Sequence, residues 1–273
     1  MKFLKSSTGS NNDAQNYLNK WIGLAVIGDM DCSKQSMKAP FFVTLCLAVF
    51  CSYQAMADEA AERILANTRY SVTLQTQQDL HGYMSKNGEK TPLSLFLRKE
   101  DIQFFYKTGK EEERFHMRLA QDHYDLFEIV DGKTTQFEDS KLAQGINGTD
   151  VTYEDISMRF LYWKNATVVG EEKVNGQLCD KIRLENPSKT EGAYRIVYVW
   201  VHKKYGAMMK LVGYNAQGKP LKQFLVTDLM RLGKEYTLRT MRVSSVDPAS
   251  NKQTGITYVE FQKAKKAEGK AMR

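Results

Sequence analysis

Few residues of this 273-residue chain have the type and spacing that catalysis or metal binding requires. The four histidines are His81, His116, His123 and His202, and the chain contains neither HExxH nor CxxC spacing. His116 and His123 lie seven positions apart and approach each other only if adjacent strands carry them. His116 falls on the polar side of an alternating segment, which predicts an exposed histidine. The histidines therefore predict no metal centre.

Nucleophiles and paired carboxylates are equally scarce. Cys179 shares the polar positions of its segment with Lys181 and Arg183, and no base stands near it in sequence to form a thiolate. The acidic run Glu111–Glu113 falls in a predicted turn, which is typical of a solvated loop, and lacks the separated carboxylates of glycosidases. GxSxG, Walker A and Rossmann glycine motifs are absent. We expect no enzyme, no cofactor and no metal, although a hydrolase assembled only by the fold stays open.

An export signal is predicted inside the chain rather than at its first residue. Lys38 precedes an apolar run at 41–51, which has the length of a signal-peptide core and is too short to span a bilayer. The triplet Ala-Met-Ala that ends at Ala57 is a cleavage site of the A-x-A type. We therefore predict Met37 as the start and residues 1–57 as an upstream extension plus signal peptide. A buried core helix at 41–51 is the alternative.

Charge and cysteine use after Ala57 favour a periplasmic protein. Cys179 is the one cysteine left, so an internal disulfide is impossible, and this suits a bacterial periplasm. Residues 263–273 carry five basic residues and one acidic residue, which predicts a disordered basic tail. The remaining body is nearly neutral, so the high isoelectric point is no argument for nucleic acid binding. We expect a monomer that binds no nucleic acid.

Alternating hydrophobicity dominates the mature chain and predicts β-strands. Leu93, Leu95 and Leu97 alternate with more polar residues, and the same period-two pattern returns as far as 254–261. Asn175-Gly176 and Asp131-Gly132 are typical of two-residue hairpin turns, because both positions favour positive φ. The apolar segment 194–201 (YRIVYVWV) predicts a strand that lies mid-sheet and is covered on both faces. We predict about eleven antiparallel strands, including one at 70–77.

Two helices interrupt this pattern. Residues 58–67 begin with acids and continue with Ala, Ile and Leu, which predicts a short N-terminal helix. Thr152 and Asp155 have the spacing of a capping box, which predicts the start of a helix over 152–162. Its apolar face consists of Tyr153, Ile156, Phe160 and Trp163.

The predicted elements pose a covering problem that suggests a ligand site. A sheet of about eleven strands with one apolar face needs cover, and two short helices are too small to provide it. The sheet must therefore curl into a half-open barrel with a helical lid, in one domain at 58–262. Such an interior holds either an apolar ligand cavity or its own side chains. The candidate lid and cavity residues are Tyr153, Ile156, Phe160, Trp163, Phe104, Met117 and Trp200, with Met208 and Met209 as adaptable lining.

Three segments resemble the outer-membrane lipoprotein-sorting protein family, the LolA/LolB-like periplasmic carriers. They are 150–163 (DVTYEDISMRFLYW), 165–185 with its Asn-Gly hairpin, and 198–229 (YVWVHKKYGAMMKLVGYNAQGKPLKQFLVTDL). The resemblance implies a half-open antiparallel barrel with a helical lid, an apolar interior for acyl chains, and no cofactor. It also implies that some relatives partner inner-membrane transporters. Arg69 and Arg98 are candidates for the lid arginine that the family implies.

These observations predict an exported chaperone that carries lipid or lipoprotein acyl chains to the outer membrane. Its expected partners are those chains and an inner-membrane transporter. Each buried methylene contributes about 0.8 kcal/mol, so an acyl chain needs only an apolar lining and a lid that opens. A periplasmic sensor or transporter accessory with the same cup, and an envelope hydrolase acting on a lipid or glycan, are the alternatives.

Overall fold

The computed structural model describes residues 59–69, 78–108, 111–120, 123–130, 132–232 and 235–262. The predicted signal peptide, the predicted strand at 70–77 and the basic tail at 263–273 lie outside these residues. One antiparallel sheet of thirteen strands dominates the described part, which confirms a mainly β fold with few helices. Within the same residues, no helix is both long and apolar enough to cross a membrane.

The elements follow one another along the chain with short turns between most strands. Residues 59–69 form helix α1, and Tyr153–Ser157 form helix α2. Short 3-10 helices span Asp139–Lys141 and Arg159–Tyr162. The strands are β1 (Gln78–Lys86), β2 (Glu89–Arg98), β3 (Asp101–Thr108), β4 (Glu111–Leu119), β5 (Tyr124–Val130), β6 (Lys133–Gln136), β7 (Thr167–Val174), β8 (Gln177–Glu185), β9 (Ile196–His202), β10 (Met208–Tyr214), β11 (Pro220–Leu232), β12 (Glu235–Asp247) and β13 (Lys252–Gln262).

The strand order shows an open sheet built from two meanders that meet in the middle. The order is β6-β5-β4-β3-β2-β1-β13-β12-β11-β10-β9-β8-β7, so β6 and β7 form the two edges. β1 pairs with β13, and Gly82 lies so close to this strand that a Cβ would stand 1.8 Å from the Glu260 carbonyl oxygen. Only glycine permits that approach. The prediction of a curled, unclosed antiparallel sheet is confirmed, with two more strands than the predicted eleven.

Turn chemistry accounts for the hairpins. Asn175 and Gly176 both have positive φ, 49° and 79°, as the predicted two-residue turn between β7 and β8 requires. The same chemistry joins β1 to β2, where Asn87 and Gly88 have φ of 52° and 87°. The sequence analysis missed β1, whose buried residues include Leu80 and Met84.

Residues 137–166, which we call the connector, carry the chain from one edge of the sheet to the other. Tyr153 in its α2 packs on Phe115 of β4, with ring centroids 5.6 Å apart. Asp155, two residues later, accepts a hydrogen bond from Lys222 of β11 over 2.6 Å. Five strands lie between β4 and β11 in the sheet. Because α2 contacts both of these strands, the sheet must curve around it. The connector therefore lies across the concave face.

The connector confirms the predicted capping box but not the predicted length of its helix. The Thr152 hydroxyl accepts a hydrogen bond from the Asp155 amide, and the Asp155 carboxylate accepts one from the Thr152 amide. The prediction of one helix over 152–162 is wrong, because Met158 adopts the left-handed conformation at φ 46° and a 3-10 turn follows. Consecutive residues of that turn are all buried, namely Arg159, Phe160 and Leu161. A regular helix would turn one of them toward solvent, so packing overrides the helical pattern.

Candidate functional site

The concave face brings together six of the seven predicted site residues. Phe160, Trp163, Phe104 and Met117 are buried in its core, and Tyr153 and Ile156 pack against that core while partly exposed. Trp200 lies elsewhere. It belongs to a second, smaller cluster with Val174, Cys179, Met209 and Val212.

Alternation along β9 explains the position of Trp200. Val197, Val199 and Val201 belong to the concave core, so Tyr198 and Trp200 between them point to the convex face. This strand is covered on both faces, as predicted for 194–201. The methionine pair divides in the same way, because Met208 packs against the concave core and Met209 lies in the convex cluster.

Side chains of the connector occupy the concave face beneath it. The buried members are Leu142, Ile146, Val151, Phe160, Leu161, Trp163 and Ala166. They share one core with residues of α1 and of both meanders, such as Leu65, Phe104 and Leu211. Of the two expected alternatives, a ligand cavity or an interior filled by the protein's own side chains, this region has the second. A ligand could reach the apolar strands here only if the connector moved.

A cavity of about 300 Å³ opens at the rim of the concave face, between β3–β5 and the connector. It is lined by Tyr106, Glu112, Glu113, Arg114, Glu128, Ile129, Val130, Phe137 and Tyr153. Tyr153 is the one predicted lid residue in this lining. The cavity is near the lower limit of size for small-molecule sites.

Glu113 lies at the centre of the polar contacts in this cavity. Its carboxylate accepts hydrogen bonds from the hydroxyls of Tyr106 at 2.9 Å and Tyr153 at 3.1 Å. Burial and the hydrogen bond to Tyr106 act in opposite directions on Tyr153, and the pKa of its phenol rises to about 12. Burial also raises the pKa of Tyr106. Both phenols therefore stay protonated at neutral pH. Their hydroxyls also hydrogen-bond each other, and either can be the donor in that bond.

The prediction that Glu111–Glu113 form a solvated turn is wrong. These residues begin β4, and Glu113 pairs across the ladder with Tyr106 of β3. The sequence analysis missed this site, because three consecutive glutamates have a composition typical of a loop. An extended period-two pattern from Phe115 back to Glu113 is the signal that would have found it.

The first polar attachment of the connector joins Asp150 to the two central strands. The Thr257 hydroxyl of β13 donates to the Asp150 carboxylate and accepts from the Asp150 amide, each over 2.9 Å. Lys86 of β1 adds an ion pair of 3.3 Å to the same carboxylate. Both strands meet at the junction of the two meanders, so this attachment holds the middle of the sheet.

The second polar attachment is centred on Asp155. Its carboxylate accepts hydrogen bonds of 2.6 Å from the Tyr194 hydroxyl and from the Lys222 ammonium. The Asp155 side chain is almost fully buried, so the lysine compensates a charge that water does not reach. Burial and the neighbouring Asp155 raise the pKa of Tyr194, which keeps its hydroxyl a donor.

Glu154 is a buried carboxylate with incomplete hydrogen bonding. One oxygen accepts from the Ala193 amide over 2.7 Å, while Oε1 has no hydrogen-bond partner. Arg159 approaches Oε1 only to 3.9 Å, and its own Nε also lacks a partner. Burial raises the pKa of Glu154 above its ordinary value, against the lowering effects of the Ala193 amide and Arg159.

Of the two candidate lid arginines, Arg69 lies at the connector. Its guanidinium donates to the Leu161 carbonyl over 2.6 Å, pairs with Glu62 and stacks over the Tyr162 ring. Arg98 instead forms an exposed ion pair with Asp79 over 2.6 Å at the end of β2. Arg69 thus joins α1 to the connector.

The candidate catalytic side chains have structural contacts. The predicted exposure of His116 is wrong, because its ring is buried. Nε2 of the ring forms a hydrogen bond of 2.8 Å with the Asp101 carboxylate, and the ring packs on Phe127. Cys179 is also buried rather than in a polar position, and burial raises the pKa of its thiol. Among the described residues, no group of three or more potential metal ligands lies together.

Comparison with known proteins places the chain in a family. A family model described as "-like: Uncharacterized protein" matches residues 120–270, which is more than half of the sequence. The chain belongs to this family. A comparison with curated proteins found no match.

Several solved structures share the fold at low sequence identity. A structure described as an outer membrane lipoprotein-sorting protein domain, from Vibrio parahaemolyticus, has a TM-score of 0.59 and 14% identity, covering 77% of this chain and 95% of its own. A DUF1329 family protein from Desulfovibrio piger ATCC 29098 has a TM-score of 0.54 and 14% identity, covering 76% and 91%. A LolA superfamily protein from Nitrosomonas europaea has a TM-score of 0.52 and 12% identity, covering 74% and 91%. The resemblance to lipoprotein-sorting proteins is confirmed at the level of the fold.

Proposed function

We propose that this protein is an exported periplasmic carrier that binds lipid or lipoprotein acyl chains on its concave face. The observation that carries the proposal is that, in the described part of the chain, the connector and α1 cover that apolar face instead of a second sheet. The fold shared with a lipoprotein-sorting domain and a LolA superfamily protein supports it. Delivery to the outer membrane and transfer from an inner-membrane transporter are part of the proposal.

Binding requires the connector to move off the strands. Phe104 and Met117 lie on the concave face, where displacement of the connector exposes an apolar surface. An acyl chain of roughly a dozen methylenes recovers about 10 kcal/mol of gross burial. That gain is comparable to the loss of several buried contacts of the connector, so the ligand replaces the connector's own side chains. Structural contacts of His116 and Cys179 support binding rather than catalysis.

Purification from cell envelopes followed by solvent extraction and mass spectrometry tests the proposal directly. We expect acyl lipid or lipoprotein to be present in the extract of the full chain. A titration with a fluorescent long-chain fatty acid then locates the site through two matched variants. Phe104→Ala removes a buried aromatic ring from the concave face, and Trp200→Ala removes one from the convex face.

We expect Phe104→Ala to weaken fatty acid binding by about tenfold, because a buried aromatic side chain contributes about 1.5–3 kcal/mol. Trp200→Ala should bind as the wild type does. Equal effects of the two variants would contradict a concave site. An extract without lipid, together with no binding of the fatty acid, would overturn the carrier.

A further inference from the structure

The lining of the rim cavity includes aromatic rings and a carboxylate. Tyr153 lies against three other rings, with centroid distances of 6.3 Å to Tyr106, 5.6 Å to Phe115 and 4.9 Å to Phe137. We call these four residues the aromatic box. Tyr106, Phe137 and Tyr153 line the cavity of about 300 Å³ directly, together with Glu113. Ring faces carry negative potential, so they and the carboxylate act in the same electrostatic sense.

Two of the three carboxylates that line the cavity form ion pairs. Glu128 forms an ion pair of 2.9 Å with Lys141, and Glu112 one of 3.3 Å with Lys107. Arg114 also lines the cavity, but its guanidinium lies over the Phe105 ring at 4.3 Å from its centroid, and alternation along β4 directs it to the face opposite Glu113.

Glu113 is different from these residues. Its hydrogen bonds come from the neutral hydroxyls of Tyr106 and Tyr153. Across the residues that the structure describes, no lysine or arginine forms an ion pair with it. The two phenols hold the carboxylate in place without cancelling its charge.

We propose that this cavity binds an organic ammonium group, with Glu113 as the counter-ion and the rings of Tyr106, Phe137 and Tyr153 beside the cation. An anion would be repelled by Glu113, and a neutral group would leave the carboxylate uncompensated. A hard metal cation prefers several oxygen ligands, whereas aromatic faces suit a large, weakly hydrated ammonium. This inference rests on the proposed function in one respect, since it assigns the head group of the ligand whose chains lie on the concave face.

Isothermal titration of the full chain with three probes tests the assignment. Dodecyltrimethylammonium and dodecanoate, used below their critical micelle concentrations, have the same chain length and opposite head-group charge. Tetramethylammonium supplies the head group alone. We expect the ammonium amphiphile to bind more tightly than dodecanoate. Glu113→Gln should weaken the ammonium amphiphile by about tenfold, because a charge-assisted contact is lost. The affinity of the Glu113→Gln variant for dodecanoate should not fall.

Two further variants separate the site from general charge and folding effects. Glu185→Gln removes a carboxylate that pairs with Arg183 on β8, outside the lining of the cavity, and should change neither affinity. Phe137→Leu keeps every charge and removes one ring of the box, so it should weaken the ammonium amphiphile by about threefold or more and leave dodecanoate unchanged. Urea midpoints of all variants confirm that each is folded.

The outcomes distinguish this inference from the carrier itself. Equal binding of both amphiphiles, unaffected by Glu113→Gln, overturns the ammonium site and leaves the carrier standing. Binding of tetramethylammonium that depends on Glu113, without binding of either amphiphile, supports a site for free amines and overturns the carrier. Failure of all three probes to bind overturns both.

Discussion

Asp150 of the connector and Thr257 of β13 bind each other twice, although they lie 107 positions apart. The Thr257 hydroxyl accepts from the Asp150 amide and donates to its carboxylate, and both residues are buried. A side chain that satisfies backbone and carboxylate together fixes the connector against the centre of the sheet. If the connector is a lid, this contact must break when a ligand enters.

A reversible crosslink at this point should control ligand entry. A Cβ on Gly255 of β13 would lie 2.9 Å from Cγ of Asp150, close to the Cβ-to-sulfur distance of about 3 Å across a disulfide. We expect oxidised Asp150→Cys/Gly255→Cys to lose binding of a fluorescent fatty acid and to regain it after reduction. The reduced protein is its own control. Unchanged binding in the oxidised state would show that this part of the connector does not open.

Thr257→Val should destabilise the fold. The variant keeps the shape of the side chain but leaves the Asp150 amide without its acceptor and Oδ2 of the carboxylate without the Thr257 donor, while Lys86 still pairs with Oδ1. We expect the free energy of unfolding in urea to fall by about 2 kcal/mol. Thr257→Ser retains the hydroxyl and should lose much less. Equal stability of the valine and serine variants would contradict a structural role for the hydroxyl.

Lys222→Met should loosen the connector more than the same substitution at an exposed lysine. It leaves the buried Asp155 carboxylate without its cation, a change that typically costs about 3 kcal/mol. Hydrogen exchange should then accelerate in the connector, and urea unfolding should shift to lower concentration. Lys219→Met, in the exposed turn that precedes β11, is the matched control. Similar exchange in both variants would argue against an ionic attachment.

The buried Glu154 should make stability decline as pH rises. Burial raises its pKa in the folded state above the ordinary 4.5, so the native protein binds the proton more tightly than the unfolded chain does. The stabilisation is complete below pH 4.5 and is lost as pH rises through the raised pKa. We expect the free energy of unfolding of the wild type to fall relative to Glu154→Gln between pH 4.5 and neutrality.

Other carboxylates act in the opposite direction and in a lower range. The Trp200 indole lowers the pKa of Glu172, and Ser250 lowers that of Asp247, so both add stability as pH rises through values below 4.5 and 3.8. Urea unfolding of wild type and Glu154→Gln across the pH series separates the two ranges. A constant difference between the two proteins above pH 4.5 would contradict the raised pKa of Glu154.

Local chemistry made several features of this fold predictable. Asn175-Gly176 favours positive φ at both positions, and the turn has it. Thr152 and Asp155 cap each other because their side chains reach amides only three residues away. Period-two patterns in segments such as Ile102–Tyr106 predicted strands with one apolar face, and the concave core contains Ile102, Phe104 and Tyr106.

Side-chain surroundings were harder to predict than strands. Trp200 and Phe104 are both buried aromatic residues of strands, yet they lie on opposite faces of the sheet. Glu113 belongs to an acidic run with the composition of a loop, but two tyrosines, one of them 40 positions away, make it the centre of the rim cavity. Alternation places both residues on a strand face, but which face becomes the concave one, and which connector residue meets Glu113, depend on contacts between distant segments.

By itself, the sequence determined the elements: strands of one-sided polarity, tight hairpins and a capped helix start. These depend on interactions between residues only a few positions apart. The tertiary structure alone decided that β1 pairs with β13, that the helix ends before Met158, and that the connector fills the concave face. Those outcomes depend on contacts between distant segments, whose energies exist only after the sheet has curved.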